Sequence, residues 1–108
     1  MKISELNEKL SLTPVCGDCD REFAGVYAGD LLSRAMSHVK ADNLWITIMS
    51  NTNVVAVASL TEAAAVILAE GVELIPEALE AAQENDITVL SSKDTVYELC
   101  VKISQAAL

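Results

Sequence analysis

The chain has 108 residues, 52% hydrophobic and 4% aromatic, with 7 basic residues against 16 acidic ones and a formal net charge of −9. A chain of this length makes one domain, spanning residues 1–108, that buries about two-thirds of its unfolded surface. The acidic balance argues against nucleic acid and anionic membranes as partners, since binding phosphates needs clustered Lys and Arg. No stretch approaches the ~18–20 consecutive apolar residues of a membrane span.

With so few aromatics, the core has to be built from Ala, Val, Leu and Ile. That mixture suits helices packed on a buried parallel sheet, whose strands read as short apolar runs. Acidic residues stand where a signal peptide would have its apolar region, and the three cysteines are an odd number. Both features point to a cytoplasmic protein.

In chain order, Ile3, Leu6 and Leu10 recur at helical spacing, predicting a short helix over residues 3–10. Leu12 to Val15 reads as a short strand, which Pro14 holds to a sheet edge. Cys16-Gly-Asp-Cys19 follows, a spacing able to supply half of a zinc or iron–sulfur site or a redox dithiol. The only further candidate ligands are Cys100 and His38, so a four-ligand set is not available in sequence. Residues 20–28 read as loop or irregular strand, with Gly25 and Gly29 allowing turns or close backbone approach. Asp30 stands where it would cap the next helix, whose apolar face is Leu31, Leu32, Ala35, Met36 and Val39. His38, near the end of that helix and the lone histidine, is expected on the surface.

Leu44 to Met49 is the best strand signal, rich in β-branched residues and unbroken. The polar run Ser50-Asn51-Thr52-Asn53 then caps a short buried helix over residues 54–60, which Thr61-Glu62 ends. Ala64 to Ala69 is a second buried strand, closed by Glu70-Gly71. Pro76 opens a helix through Glu84 at a first helical position. Ile87 to Leu90 is a third strand, ending in Ser91-Ser92, and Thr95 to Ala107 is a closing amphipathic helix. Strand and helix in alternation give a parallel sheet with right-handed crossovers.

Signatures of catalysis are mostly missing. There is no phosphate-binding Gly-rich loop, no His-x-x-x-His and no nucleophile elbow, and a single histidine makes an acid–base pair hard to assemble. The geometric expectation is a ligand beyond the carboxyl ends of the strands, at Ser50 to Asn53, Glu70-Gly71 and Ser91-Ser92. The helix start after Ser50-Asn51-Thr52-Asn53 would offer free N–H groups to an anion, although capping accounts for the same residues.

Gly25-Val-Tyr-Ala-Gly-Asp-Leu-Leu-Ser33, Trp45-Ile-Thr-Ile48 and Asn53-Val-Val-Ala-Val-Ala58 strongly resemble the DRTGG domain family, over about residues 3–107. Asp20-Arg21 match the residues that name the family, whereas Ala24-Gly25-Val26 replaces its usual Thr-Gly-Gly. Met49 and Asn51 stand where the family often has Gln and His. The resemblance implies a three-layer α/β sandwich around a mainly parallel sheet, like the MurF and HPr kinase/phosphorylase N-terminal domains. It implies a regulatory rather than catalytic role, since similar domains accompany CBS domains in pyrophosphatases and precede phosphotransacetylase catalytic domains. Free-standing copies occur near iron hydrogenase genes in anaerobes.

The reading that follows is a non-catalytic, homodimeric regulatory or scaffold domain, with no cofactor, that binds a nucleotide or small anion or a protein partner. Tyr27, Asp30, Trp45, Thr47 and Asn53 are expected to line its cleft, the two rings stacking a base and Asp30 and Asn53 supplying hydrogen bonds. The alternative is a redox or metal accessory protein using Cys16 and Cys19, linked to hydrogenase metabolism.

Overall fold

A computed structural model describes residues 1–107. Its elements run α1 (Ile3–Leu10), β1 (Thr13–Cys16), β2 (Val26–Ala28), α2 (Leu32–His38), β3 (Leu44–Thr47), α3 (Thr52–Thr61), β4 (Ala65–Leu68), α4 (Pro76–Glu84), β5 (Val89–Ser91) and α5 (Val96–Ala107). The five strands form one sheet in the order β1-β5-β4-β3-β2. All neighbours are parallel except β1, which runs antiparallel to β5.

The alternation of side chains along each strand sorts them between two helical layers. Trp45, Val66, Leu68 and Val89 pack on one face with α2, α3 and α4, in a cluster that includes Ala35, Val54, Val57, Ala78 and Ala82. Leu44, Ile46, Ile67 and Leu90 pack on the other face with α1 and α5, against Ile3, Leu6, Leu99 and Ile103. Residues 44–47 and 65–68 are buried without exception, as expected of central strands covered on both sides. The three-layer arrangement anticipated from sequence is what forms.

Residues 26–28, expected as loop or irregular strand, form a regular parallel edge strand paired with Leu44–Ile46. Hydrogen bonds flank its ladder at both ends: Leu44 N donates to Gly25 O at 3.0 Å, and Gly29 N to Ile46 O at 3.1 Å. Gly25 has φ +82°, and a Cβ there would lie 2.8 Å from the Asn43 amide nitrogen. That amide donates to Ala24 O at 2.8 Å, so the turn into β2 is fastened from beneath. The Val54–Ala58 run is helical, as expected, and Asn51 caps it by accepting from Asn53 N at 3.1 Å. Its apolar face is spent inside this chain, since Val54, Val55, Val57 and Ala58 are all buried. No helix of the described residues is long and apolar enough to cross a membrane.

Candidate functional site

Four parallel strands end on the same side of the sheet. Of the residues singled out from sequence, Asp30 and Thr47 meet at the ends of β2 and β3, Tyr27 and Trp45 are paired within those strands, and Asn53 stands on α3. Asp30 does not cap α2. The position before that helix belongs to Leu31, which makes no side-chain cap. Instead one Asp30 carboxylate oxygen accepts from the Thr47 hydroxyl at 2.8 Å and from Ile48 N at 3.0 Å. Thr47 is fully buried, and its own oxygen accepts from Met49 N at 3.2 Å. The backbone after Gly29 therefore turns Asp30 back onto β3 and ties two adjacent parallel strands at their carboxyl ends.

Trp45 is likewise enclosed, with no exposed surface, and its indole N–H donates to Gly29 O at 3.0 Å. Its ring offers no face to a ligand, so the expected stacking by Trp45 is corrected to a role in the floor of the domain. Tyr27 is half-buried and lies against His38, with ring centroids 6.1 Å apart and planes 28° apart. The His38 Nδ1 lies 2.9 Å from Arg34 O and 2.8 Å from the Ser37 hydroxyl, both on its own helix. Asn53 is exposed on the first turn of α3. Of the five residues expected to line one cleft, Trp45 and Thr47 are enclosed, whereas Tyr27, Asp30 and Asn53 present surface, Asp30 with one carboxylate oxygen engaged by Thr47 and Ile48.

Cys16 and Cys19 pack against different core clusters. Cys16 packs against the α2–α4 side of the core and donates its Sγ–H to Ile87 O at 3.3 Å. Cys19 packs against the α1–α5 side, as does Cys100. Burial pushes both Cys16 and Cys19 thiols above their usual value, and Asp18 and Asp20 add to the effect at Cys19. A reactive or metal-binding thiol needs the opposite shift. Among the described residues, no three His, Cys, Asp or Glu side chains stand close enough to share a metal ion.

The feature that sequence reasoning missed lies towards the other margin of the sheet, beyond the carboxyl end of β5. Lys9, Lys93 and Lys102 line a groove of about 520 Å³ together with Ser11, Thr13, Ser92 and Asp94. Three of the chain's 7 basic residues thus meet at one place on a molecule of net charge −9. Lys9 comes from the last turn of α1, Lys93 from the loop after β5, and Lys102 from the middle of α5. They converge because β1 returns antiparallel along β5, setting Thr13 opposite Ser91. Lys102 is held by Asp94 at 2.6 Å, a contact that raises its pKa through the hydrogen bond. Asp94 is the one acid in the lining, so the groove keeps an excess of positive charge. The loop carrying it is anchored, since Gly71 N donates to Ser92 O and Glu70 N to Asp94 O, each at 2.8 Å. Ser91-Ser92 was among the strand ends expected from sequence to meet a ligand. The lysines were not, being separated by up to 93 residues.

The sequence profile of the DRTGG domain matches residues 15–106. The chain belongs to the DRTGG domain family. Its structure is similar to the crystal structure of the CBS and DRTGG domains of the regulatory region of Clostridium perfringens pyrophosphatase, complexed with the activator diadenosine tetraphosphate. The TM-score is 0.81 at 16% identity, over 97% of this chain and 46% of that one. At that identity the likeness is one of fold, and this DRTGG chain spans less than half the length of its structural relative. No curated protein sequence matches it.

Proposed function

We propose that this DRTGG domain is a non-catalytic, cytoplasmic regulatory or scaffold element that acts as a homodimer and binds a nucleotide or other small anion. The observation that carries the reading is the convergence of Lys9, Lys93 and Lys102 in one groove beyond the carboxyl end of β5. Open α/β sheets receive ligands on that side, and positive charge concentrated in a concave surface of an acidic protein focuses the local field on anions. The fold's likeness to the regulatory region of a pyrophosphatase crystallised with a dinucleotide activator agrees with this assignment. Self-association is supported by the apolar side chains left on adjoining helices, Leu31 at the start of α2, Met36 on α2 and Leu60 on α3, exposed by 64%, 51% and 71%.

The test is thermal shift against adenine and guanine nucleotides, with light scattering at tens of micromolar protein. A ligand at a hundredfold excess over its dissociation constant stabilises by about 2.7 kcal/mol. The expected result is a higher melting temperature with nucleotide, lost in the Lys9→Ala/Lys93→Ala double variant, and a scattering mass twice that of the chain. A flat response to every nucleotide would remove the ligand-binding part. A strictly monomeric mass would remove the dimer.

A further inference from the structure

A second cavity adjoins the lysine groove, and the two differ in chemistry. It measures about 320 Å³ and is walled mainly by Val15, Leu68, Val72, Leu74 and Leu79. It lies beside α4 on the other side of the β1–β5 margin, whereas Lys9 and Lys102 approach from α1 and α5. Thr13 lines both spaces, and consecutive Ser91 and Ser92 line one each. A ligand can therefore pass over the end of the sheet from one to the other without leaving the protein surface.

From this juxtaposition we infer that the ligand of the lysine groove is a nucleoside polyphosphate, its base in the apolar cavity and its phosphates among Lys9, Lys93 and Lys102. The inference rests on the anion-binding reading above and specifies what the anion carries. A cavity near 300 Å³ with apolar walls and a few polar groups is at the small end of ligand pockets. It suits a flat ring better than a flexible chain, because two walls are contributed by rigid elements, β4 and α4. Orientation is set by charge. Glu73 is the acid lining the apolar cavity. Its carboxylate repels phosphate and accepts hydrogen bonds from a base bearing N–H donors. Lysines at the other end attract the phosphates as flexible point charges. Thr13 and Ser92 lie between, where hydroxyl partners meet a ribose. Asp94 already occupies Lys102, so the incoming phosphate takes over that contact in part, and binding weakens with salt.

The experiment is calorimetric titration of the full chain with ATP, GTP, adenosine and inorganic tripolyphosphate. The expected result is a nucleoside triphosphate bound at least tenfold more tightly than tripolyphosphate. In Val15→Gln, an uncharged change at the sheet edge where the side chain is already exposed, that preference disappears while tripolyphosphate affinity stays within about twofold. Retained tripolyphosphate binding certifies that the variant is folded, and Val72→Gln gives a second, independent wall. Lys9→Ala/Lys93→Ala weakens triphosphate and tripolyphosphate alike. Equal affinity for tripolyphosphate and both nucleotides would overturn the base pocket and leave the anion site standing. No binding of any probe would overturn both.

Discussion

The tie between Asp30 and Thr47 gives the sharpest quantitative test of how the strand ends are built. Replacing Asp30 with Ala deletes the acceptor of a buried hydroxyl and of the Ile48 amide. Thr47 has no exposed surface, so water does not replace the lost partner. Leaving a buried donor unsatisfied costs about 1–3 kcal/mol. Because Asp30 itself is exposed, the low half of that range applies, and the Ile48 amide, also exposed, recovers its bond from solvent. The expected loss is about 1.5 kcal/mol, near 7 °C in melting temperature for a domain of this size. Thr47→Val removes the hydroxyl with little change of shape and should cost about 1 kcal/mol. The double variant should cost little more than Asp30→Ala alone, because the two share one interaction, leaving a coupling of about 1 kcal/mol. Urea unfolding of the four proteins, followed by circular dichroism, measures it. Additive losses, or an Asp30→Ala variant as stable as the parent, would refute a structural role and return Asp30 to the pool of free ligand-binding carboxylates.

Gly17 has φ +89°, and a Cβ there would lie 2.4 Å from Thr88 Cα and 2.7 Å from Ile87 O. Gly17→Ala should therefore lose more than about 3 kcal/mol, read as a collapse of the denaturant midpoint, whereas Gly71→Ala, with nothing within 4 Å, loses only the cost of its positive φ. Leu99→Ala, which empties a fully buried site between α5 and the sheet, should cost about 2–5 kcal/mol in the same assay. Cys16 and Cys19 should react with thiol reagents more slowly than a free thiol at pH 8, since burial raises both pKa values from 9.0. Folding favours their protonated forms, so their contribution to stability is present below the ordinary thiol pKa and fades as pH climbs through 9 and beyond. Rapid alkylation of either thiol in the folded protein would contradict this. Lys102→Ala breaks an exposed pair and should leave the melting temperature nearly unchanged while weakening triphosphate binding.

Much of the architecture could be read in advance because its signals are local. The apolar runs at 44–49 and 64–69, Pro76 and the Asn51 cap each state their element within a few residues. The Val54–Ala58 run has strand propensity, yet it is a helix, since its neighbouring cap and the short connections decide the matter. β2 escaped because three residues, none fully buried, carry no period of their own, and what makes them a strand is pairing with β3. Asp30 was misassigned for a related reason. A carboxylate before a helix has two sets of donors within reach, and the nearer amide and hydroxyl of β3 are visible only once the strands are adjacent. The lysine groove is the extreme case, since Lys9 and Lys102 share no local context. Trp45 looked like a stacking platform, but a residue in a central strand points into a helical layer, and burial follows from that position.

The pairing of β1 with β5 joins segments more than seventy positions apart, and contacts of that span form late because loop closure precedes any gain. Both spaces beyond β5 depend on it, one through Lys9 and Ser11, the other through Val15. The βαβ units in the middle can assemble beforehand, so the surface proposed above to take a ligand is expected to be the last part completed. An occupant would then act as a clasp on the outermost strand, and slower hydrogen exchange at Thr13 and Val15 would report its arrival before any change in the interior.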